Sequence, residues 1–317
     1  MSSKSMTVLL ILVSLSACLI VGGCRHRRGD GASMKGSNRA EASIAPSSTD
    51  KNGNTATVSI ADKGGEGMDF AEREEIRRSY QLDPGAKVEI TGINGRIDVE
   101  TADTKTAEVL IIRSAKKKED LQFRQINIEH QPDQLRIRVE DDRKSIWSAL
   151  SSSTEGRQRV MLKIPRKVDF EIRGLNGPLT VGEIEGPVQV NGNNGQVKIG
   201  QLSGNASFRG INGHIEMTIA KLSQDGIEIA GVNGNTELRF VGEVNADVEA
   251  HGMNGRIEPD LPNVEVRKSE GFGVYNARIG SGGARIKVRG VNGNVYLNKA
   301  EKISADASRS TVKVNPK

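Results

Sequence analysis

The chain has 317 residues, and its 45 Lys and Arg against 40 Asp and Glu give a formal net charge of +5 at pH 7. Cations and acids are interspersed along the sequence, so we expect a mixed, solvated surface and no nucleic-acid partner. Aromatic residues make up 3% of the chain while glycine occurs 36 times, so the core has to be built from Ile, Val and Leu in short strands. Both cysteines, Cys18 and Cys24, lie near the N-terminus, which excludes a disulfide or a thiol site from the rest of the chain.

Residues 1–24 have the pattern of a bacterial export signal. Lys4 provides a positively charged start, and an apolar run from Met6 onward continues with small residues up to Cys24. The segment Val21-Gly22-Gly23-Cys24 resembles the lipobox of bacterial lipoproteins, in which the signal is cut before a cysteine that carries diacylglycerol. The sequence therefore predicts a lipoprotein signal peptide, with the lipid attached at Cys24.

Cys18 follows Leu15-Ser16-Ala17, fits the same consensus, and is the alternative attachment site. Cleavage before Cys24 is preferred because it leaves a polar start at Arg25, whereas cleavage before Cys18 exposes Leu19. An uncleaved anchor helix and an ordinary signal peptide stay open as alternatives. Because Arg25 is not the Asp that commonly retains lipoproteins at the inner membrane, we expect a membrane-anchored lipoprotein of the bacterial cell envelope, at the outer membrane or on the periplasmic face.

Residues 25–78 are rich in Gly, Ser, Ala, Asp and Lys and show little periodicity, which is typical of a flexible tether. The charged stretch 70–80 has the composition of a short helix or of a solvated lead-in. Asp83-Pro84-Gly85 is a turn signal, so the first strand of the repeat is expected directly after it. The predicted divisions are the signal peptide at 1–24, the tether at 25–78, a β cap with the first repeat at 79–170, and the remaining repeats at 171–317.

One pattern occurs eight times between Val88 and Leu297: alternating apolar residues, a glycine, one more residue that is usually apolar, then Asn-Gly and a second alternating stretch. From Asn176 onward the copies are 18, 18, 21, 21, 22 and 16 residues apart, and a period near twenty is typical of a solenoid. The copy at Asn276 lacks both glycines. The seven regular copies have their Asn-Gly pairs at Asn94-Gly95, Asn176-Gly177, Asn194-Gly195, Asn212-Gly213, Asn233-Gly234, Asn254-Gly255 and Asn292-Gly293.

Asn-Gly between alternating strands is also the strongest local signal for a two-residue hairpin turn. The residue before the asparagine argues against hairpins, because Ile93, Ile211 and Val232 are apolar and would lie on the solvent face of their own strands. A bend at the preceding glycine turns this residue inward, so we favour corners of a parallel β-solenoid over a stack of hairpins. Coils stacked about 4.8 Å apart would then bring the corner asparagines into a ladder of amide hydrogen bonds.

The first two corners, Asn94 and Asn176, are 82 residues apart, which is too long for one coil. This insert is expected to cap the open end of the solenoid, whose terminal coil otherwise exposes its edge and core. Residues 145–155 are predicted to form a loop, with Trp147 either buried under the cap or exposed as a contact point. The alternating segments of the insert predict strands at 108–113, 126–129, 134–140 and 159–164, and a hairpin turn at 131–133.

Residues 92–99 (Gly-Ile-Asn-Gly-Arg-Ile-Asp-Val), residues 210–217 (Gly-Ile-Asn-Gly-His-Ile-Glu-Met) and the stretch 162–172 resemble a widespread bacterial family of β-helical domains of unknown function, often labelled putative adhesins. The similarity runs from Leu82 to the C-terminus. It implies a single-stranded right-handed parallel β-helix with an N-terminal β cap, on the cell surface or in the periplasm, and it brings no catalytic residues. Asn193, Pro259 and Asn276 depart from the repeat pattern.

No pattern in the sequence indicates a metal, a cofactor or a catalytic group. The four histidines, His26, His130, His214 and His251, are scattered, and no Cys or His spacing suits zinc. Asp141-Asp142 lacks the alternating acids and glycine of a calcium loop. Residues 280–283 are glycine-rich, but the Gly-Lys-Ser/Thr of a phosphate loop does not follow them.

Two functions from different classes fit this pattern. In the first, a non-enzymatic, lipid-anchored envelope protein presents its solenoid surface to a protein or a glycan, as the adhesin resemblance implies. In the alternative, the solenoid is a polysaccharide-acting enzyme, which needs clustered carboxylates and aromatic platforms for sugar rings. Acids do occupy outward positions after several corners, namely Asp98, Glu216, Glu237 and Glu258. Alternating charges are found on any exposed strand, however, and aromatic residues are few, so we favour the first function.

Overall fold

The computed structural model describes residues 72–118, 121, 124–141 and 156–300, and within these ranges the protein is all-β, as predicted. The predicted signal peptide with Cys18 and Cys24, most of the predicted tether and the predicted loop around Trp147 lie outside the described residues. The described residues form nineteen strands: β1 (Glu72–Gln81), β2 (Lys87–Thr91), β3 (Gly95–Ala102), β4 (Thr106–Ala115), β5 (Arg124–Gln131), β6 (Gln134–Asp141), β7 (Arg157–Pro165), β8 (Asp169–Asn176), β9 (Leu179–Ile184), β10 (Val188–Asn194), β11 (Val197–Asn212), β12 (Ile215–Asn233), β13 (Thr236–Phe240), β14 (Ala246–His251), β15 (Ile257–Asp260), β16 (Val264–Lys268), β17 (Tyr275–Ile279), β18 (Ala284–Asn292) and β19 (Val295–Lys299).

Two stacks of parallel strands make up most of the structure. The first stack contains the strands that precede the Asn-Gly pairs, and the second stack contains the strands that follow them. In order of pairing, the first stack runs β6, β2, β8, β10, the end of β11, the end of β12, β18 and β14. The second stack runs β7, β3, β9, the start of β11, the start of β12, β13, β19 and β15. We call one strand of each stack, joined by an Asn-Gly pair, a layer.

The Asn-Gly pairs are corners between the two stacks. On either side of Asn94, β2 pairs with β6 and β8, while β3 pairs with β7 and β9. The hairpin alternative is therefore wrong. The residue before each asparagine faces the core, as shown by exposures of 2% for Ile93 and 1% for Val232. Gly231 makes this bend possible because its φ of 63° lies in the left-handed region, which glycine adopts without strain.

The sheet is mixed because antiparallel strands flank both ends of the parallel stacks. At the N-terminal end, β5 pairs with β6, and β4 lies between β7 and β1. At the other end, β17 pairs with both β14 and β16. The predicted hairpin at 131–133 is confirmed, since Gln131 faces Gln134 across a two-residue turn. The insert forms β4 to β7, which cover the four segments predicted to be strands.

Two expectations are corrected by this topology. Residues 70–80 are predicted to form a helix or a solvated lead-in, and residues up to 78 to belong to the tether, but β1 runs antiparallel along β4 from Glu72 to Gln81. Its alternating Glu and Arg suit an edge strand, which has to discourage further pairing. Asn276, whose copy of the repeat lacks both glycines, is the second residue of β17, opposite Glu249 and Arg267, and it forms no corner.

The layers do not follow sequence order. β18 lies between β12 and β14, and β19 lies between β13 and β15. The layer with corner Asn292, the last in sequence, is therefore inserted between the layers of Asn233 and Asn254. Stacking in sequence order would instead have made Asn233 and Asn254 neighbours.

Charge on the outward faces favours the observed order. Lys287 lies between Glu228 on one neighbouring strand and Glu249 on the other. On the second stack, β19 separates Glu237 from Glu258 in the same way. Stacking in sequence order would place both pairs of glutamates directly opposite each other, and like charges in that position are destabilising. Compared with stacking in sequence order, the inserted layer separates both pairs of glutamates. It also places Lys287 between Glu228 and Glu249.

The interior between the stacks is filled by Ile, Val and Leu, with Phe170, Phe208 and Phe240 as the largest side chains. Among the polar residues that interrupt it are Asn193 at 2% exposure and Thr236 at 0%. The Asn193 amide donates to the Gly195 carbonyl at 2.7 Å, but its Oδ1 and the Thr236 hydroxyl have no hydrogen-bond partner. Each buried polar atom of this kind costs about 1 to 3 kcal/mol.

Candidate binding surface at the asparagine corner

Seven asparagine side chains form a continuous ladder along the corner, which we call the asparagine ladder. At one end Asn94 donates to the backbone oxygen of Gly156 at 3.0 Å. Each amide between the two ends uses one N–H and one oxygen lone pair within the ladder and keeps one of each. The Nδ2 to Oδ1 distances are 2.9 Å from Asn176 to Asn94, 2.9 Å from Asn194 to Asn176, 3.0 Å from Asn212 to Asn194, 3.1 Å from Asn233 to Asn212, 3.0 Å from Asn292 to Asn233 and 3.0 Å from Asn254 to Asn292.

The glycine after each ladder asparagine lies where the backbones of successive layers touch. A Cβ at Gly234 would lie 2.2 Å from the carbonyl oxygen of Gly213, and a Cβ at Gly177 would lie 2.1 Å from that of Gly95. No side chain fits at these distances. Steric exclusion by the adjacent layer explains the glycine at Gly95, Gly177, Gly195, Gly213, Gly234, Gly255 and Gly293.

The glycines two residues before the asparagines have a different role. Their φ values lie between 58° and 77°, so they are selected by backbone conformation. Space is not the constraint, because the nearest atom to a Cβ at Gly231 would be 3.7 Å away. All seven are exposed and present bare backbone beside the ladder. This glycine row consists of Gly92, Gly174, Gly192, Gly210, Gly231, Gly290 and Gly252.

Two outward acids of the second stack share one arginine. Glu216 is 3.0 Å from the Lys198 ammonium and is hydrogen-bonded by Arg239, which also contacts Glu237 at 2.9 Å. Burial alone would raise the pKa of Glu216, but the hydrogen bonds from Lys198 and Arg239 outweigh it and the pKa is lowered. A general acid for glycoside hydrolysis needs a raised pKa. Glu216 is therefore held in its ionised form by its two cationic partners.

The remaining acids considered from the sequence are also paired. Asp98 lies 2.7 Å from Arg96, and Glu258 lies 2.8 Å from Arg256. All four outward acids of the second stack, including Glu216 and Glu237, thus take part in ion pairs on a flat strand surface. They form a solvated charge network and leave none of these four carboxylates unpaired for acid catalysis.

The histidines of the described chain do not converge. His214 lies 3.9 Å from Glu237, His130 stacks on Tyr80 with ring centroids 4.6 Å apart, and His251 is exposed on β14. Within the ranges described, no group of three or more His, Cys, Asp or Glu side chains is arranged to hold a metal ion. In the same ranges, no helix has the length and apolar character needed to cross a membrane.

Three arginines at the same position of the repeat were not predicted as functional residues from the sequence. Arg173, Arg209 and Arg289 each lie three residues before a ladder asparagine. They belong to every second layer in space. The common offset is the signal that the sequence offers. The alternation becomes visible only once β18 is known to lie beside β12.

No protein-family model matches the chain, and no curated protein matches it. Among solved structures, a putative cell adhesion protein from Clostridium sporogenes is 11% identical, with a TM-score of 0.37, covering 71% of this chain and 100% of that one. A putative adhesin from Bacteroides fragilis is 11% identical, with a TM-score of 0.35, covering 70% and 96% of the two chains. A putative lipid binding protein from Parabacteroides distasonis is 11% identical, with a TM-score of 0.23, covering 72% and 97%. Likeness at this level assigns neither a family nor a function.

Proposed function

We propose that this protein is a non-enzymatic, lipid-anchored protein of the bacterial cell envelope that presents a binding surface in the manner of an adhesin. The asparagine ladder from Asn94 to Asn254 carries the proposal, because it holds seven layers in one register. The result is a rigid strip that repeats about every 4.8 Å. Such a strip suits an extended partner, a glycan or a protein, better than it suits a compact small molecule.

We infer that the two stacks are walls of a single-stranded right-handed parallel β-helix. Continuity of the chain supports this inference. β11 belongs to the second stack of one layer and, farther along, to the first stack of the next, and β12 does the same. The antiparallel strands at the two ends then serve as caps, because they pair with the exposed edges of the terminal layers.

A polysaccharide-acting enzyme is the second candidate, because parallel β-helices also host glycan chemistry. Glu216 and Glu237 on adjacent strands are the acids closest to that requirement. Their shared contact with Arg239 and the lowered pKa of Glu216 favour binding over catalysis. Turnover is therefore an outcome that the experiment has to detect and not the function we propose.

The N-terminal segment completes the proposal. Lipid on Cys24 anchors the protein to the membrane, and the stretch that begins at Arg25 tethers the β domain to it. The expected location of the protein is the outer membrane or the periplasmic face of the envelope. Cys24→Ala should move the protein from the detergent phase to the aqueous phase or leave an uncleaved precursor, whereas Cys18→Ala should not. The reverse result would assign the lipid to Cys18.

A binding and turnover assay tests the function itself. The full lipidated chain is incubated with purified neutral and acidic polysaccharides, and retention and product formation are measured in the same samples. We expect retention of a polymer without new reducing ends or unsaturated sugars. Turnover that is lost in Glu216→Gln but kept in Glu100→Gln, an exposed carboxylate on β3, would replace this proposal with the enzymatic one.

A further inference from the structure

We propose that the edge of the first stack beside the corner binds a linear acidic polysaccharide that carries its acidic group on every second sugar. The proposal rests on the binding function above and names the chemistry of the partner. Three parallel rows form the site: an arginine row, the glycine row and the asparagine ladder. Each row runs along the direction in which the layers stack.

The arginine row is defined by strict alternation from strand to strand. At the position three residues before the corner, and at Arg138 in the same register on β6, each arginine is followed on the next strand by a smaller side chain. Neighbouring strands are about 4.8 Å apart, so the backbone positions of successive arginines are about 9.6 Å apart. In spatial order the row reads Arg138, Thr91, Arg173, Asn191, Arg209, Ala230, Arg289 and His251.

The arginine heads are both oriented and accessible. Arg173 is 53% exposed and contacts Glu171 at 2.5 Å through Nε, and Arg209 is 59% exposed and contacts Glu228 at 2.5 Å through one terminal nitrogen. A guanidinium has five N–H donors in a rigid fork, so one such contact fixes its orientation and leaves donors for an external carboxylate or sulfate. The glutamates thus position these arginines without using all of their hydrogen-bonding capacity.

The neighbouring rows suit the uncharged parts of a sugar chain. The glycine row carries no side chains, so a sugar ring can approach the backbone between the arginines and the ladder. Beyond it, each ladder amide retains one N–H and one lone pair, which match hydroxyl groups that donate and accept hydrogen bonds. The strip therefore offers polar contacts in every layer and a cation in every second layer.

The spacing selects the class of polymer. One extended sugar of a β-linked polysaccharide has a length close to one strand spacing, so acids on alternate sugars meet arginines on alternate strands. A polymer with an acid on every sugar would place half of its charges opposite Thr91, Asn191 and Ala230. Duplex DNA carries a phosphate about every 3.4 Å along each strand. Single-stranded nucleic acid needs aromatic platforms, which the arginine row does not contain.

The experiment measures affinity of the full chain for hyaluronate oligosaccharides, which have one carboxylate per two sugars, beside oligogalacturonate, which has one per sugar, and neutral dextran oligosaccharides. We expect hyaluronate to bind best and its affinity to rise with length until the oligosaccharide spans the arginine row. The variant Arg209→Gln with Arg289→Gln should lose about tenfold or more in affinity for each arginine. The matched control is Arg96→Gln with Arg256→Gln, which removes two exposed arginines from the second stack, 53% and 72% exposed.

A third variant tests the spacing directly. Ala230→Arg fills the gap between Arg209 and Arg289, so it should shift the preference toward oligogalacturonate. Equal losses in the two double variants, or equal binding of both acidic polymers, would contradict the proposed site. Stronger binding of an oligothymidylate than of hyaluronate would contradict the polymer class. Retention of a neutral glycan or an envelope protein without binding of acidic polymers would overturn this site alone, whereas cleavage of a polymer would overturn the binding function.

Discussion

Asn292 donates its side-chain amide to Asn233 at 3.0 Å, although 59 positions separate them in the chain. Asn254, the next corner after Asn233 in sequence, instead donates to Asn292 from the other side. The ladder thus records the spatial order of the layers. The last layer in sequence is covered by neighbours on both sides, and an earlier layer together with β16 and β17 forms the end of the stack.

A double-mutant cycle tests this order. Asn233→Ala removes the hydrogen bonds to Asn212 and from Asn292. Because these amides are exposed, we expect a loss of about 1 to 2 kcal/mol in unfolding free energy, measured by urea denaturation. Asn127→Ala, at an exposed asparagine on β5, is the control and should be close to neutral.

Double variants of the ladder asparagines test which layers are adjacent in the stack. Losses from Asn233→Ala and Asn292→Ala should be less than additive by about 0.5 kcal/mol or more, because the two residues share a hydrogen bond. Losses from Asn233→Ala and Asn254→Ala should couple more weakly than this, because these residues are not in contact and share only Asn292 as a partner. Coupling to Asn254 together with additivity at Asn292 would mean that the layers stack in sequence order.

The two glycines of one corner should respond differently to alanine. Gly231→Ala is expected to cost about 1 to 2 kcal/mol, the penalty of a left-handed conformation, because the added Cβ meets nothing within 3.7 Å. Gly234→Ala should cost about 1 to 3 kcal/mol more than Gly231→Ala. Its Cβ would lie 2.2 Å from the Gly213 carbonyl oxygen, so the adjacent layer has to shift. Thermal and urea unfolding of the two variants make the comparison. Equal losses would show that the layers are not closely stacked at this point.

Periodicity in the sequence was enough to predict the strands that flank the Asn-Gly pairs and the bends between them, because both depend on residues close together in the chain. The inward turn of Ile93 follows from Gly92 beside it, and the missing glycines at Asn276 mark a segment that cannot form the same bend. The order of the layers has a different origin. It is favoured by the position of Lys287 between Glu228 and Glu249, which lie on strands distant from it in sequence, so no local pattern contains it.

The same distinction applies to the candidate site. The asparagine ladder could be predicted because one repeated residue defines it. The arginine row could not, because Arg209 and Arg289 are separated by one intervening strand in space but by six strands, β12 to β17, in sequence. β1 was missed for a related reason: its composition is that of a solvated segment, and its partner β4 lies elsewhere in the chain.

Thr236→Val should stabilise the protein. Thr236 is fully buried between Ile215 and Val295 on the adjacent strands, and its hydroxyl has no hydrogen-bond partner. Valine has nearly the same shape and removes the unsatisfied group, so we expect a gain of about 1 kcal/mol in unfolding free energy. Thr180→Val, at an outward position on β9, is the matched control and should change little. A loss of stability in Thr236→Val would indicate that the hydroxyl has a partner.

Asp169 and Glu216 should influence acid stability in opposite directions. Burial raises the pKa of Asp169 above its usual 3.8, so its carboxylate destabilises the folded state near neutral pH and this penalty fades as the pH falls. Asp169→Asn should therefore be more stable than the parent at pH 7, and the difference should shrink in acid. Urea unfolding at pH 7 and pH 4 measures the difference, and an increase in acid would contradict the assigned sign.

For Glu216 the sign is reversed. Burial opposes ionisation, but the hydrogen bonds from Lys198 and Arg239 prevail, so the folded-state pKa lies below the usual 4.5. A carboxylate with a lowered pKa contributes stability that is present above the unfolded pKa and is lost as the pH falls through the folded one. Glu216→Gln should cost about 1 kcal/mol at pH 7 and should approach the parent as the pH falls below 4.5. Urea denaturation from pH 7 to pH 3 gives the two curves, with Glu100→Gln as the exposed control. If the gap between the Glu216→Gln and parent curves stayed constant across this range, the ion pairs of Glu216 with Lys198 and Arg239 would not contribute to the stability of the fold.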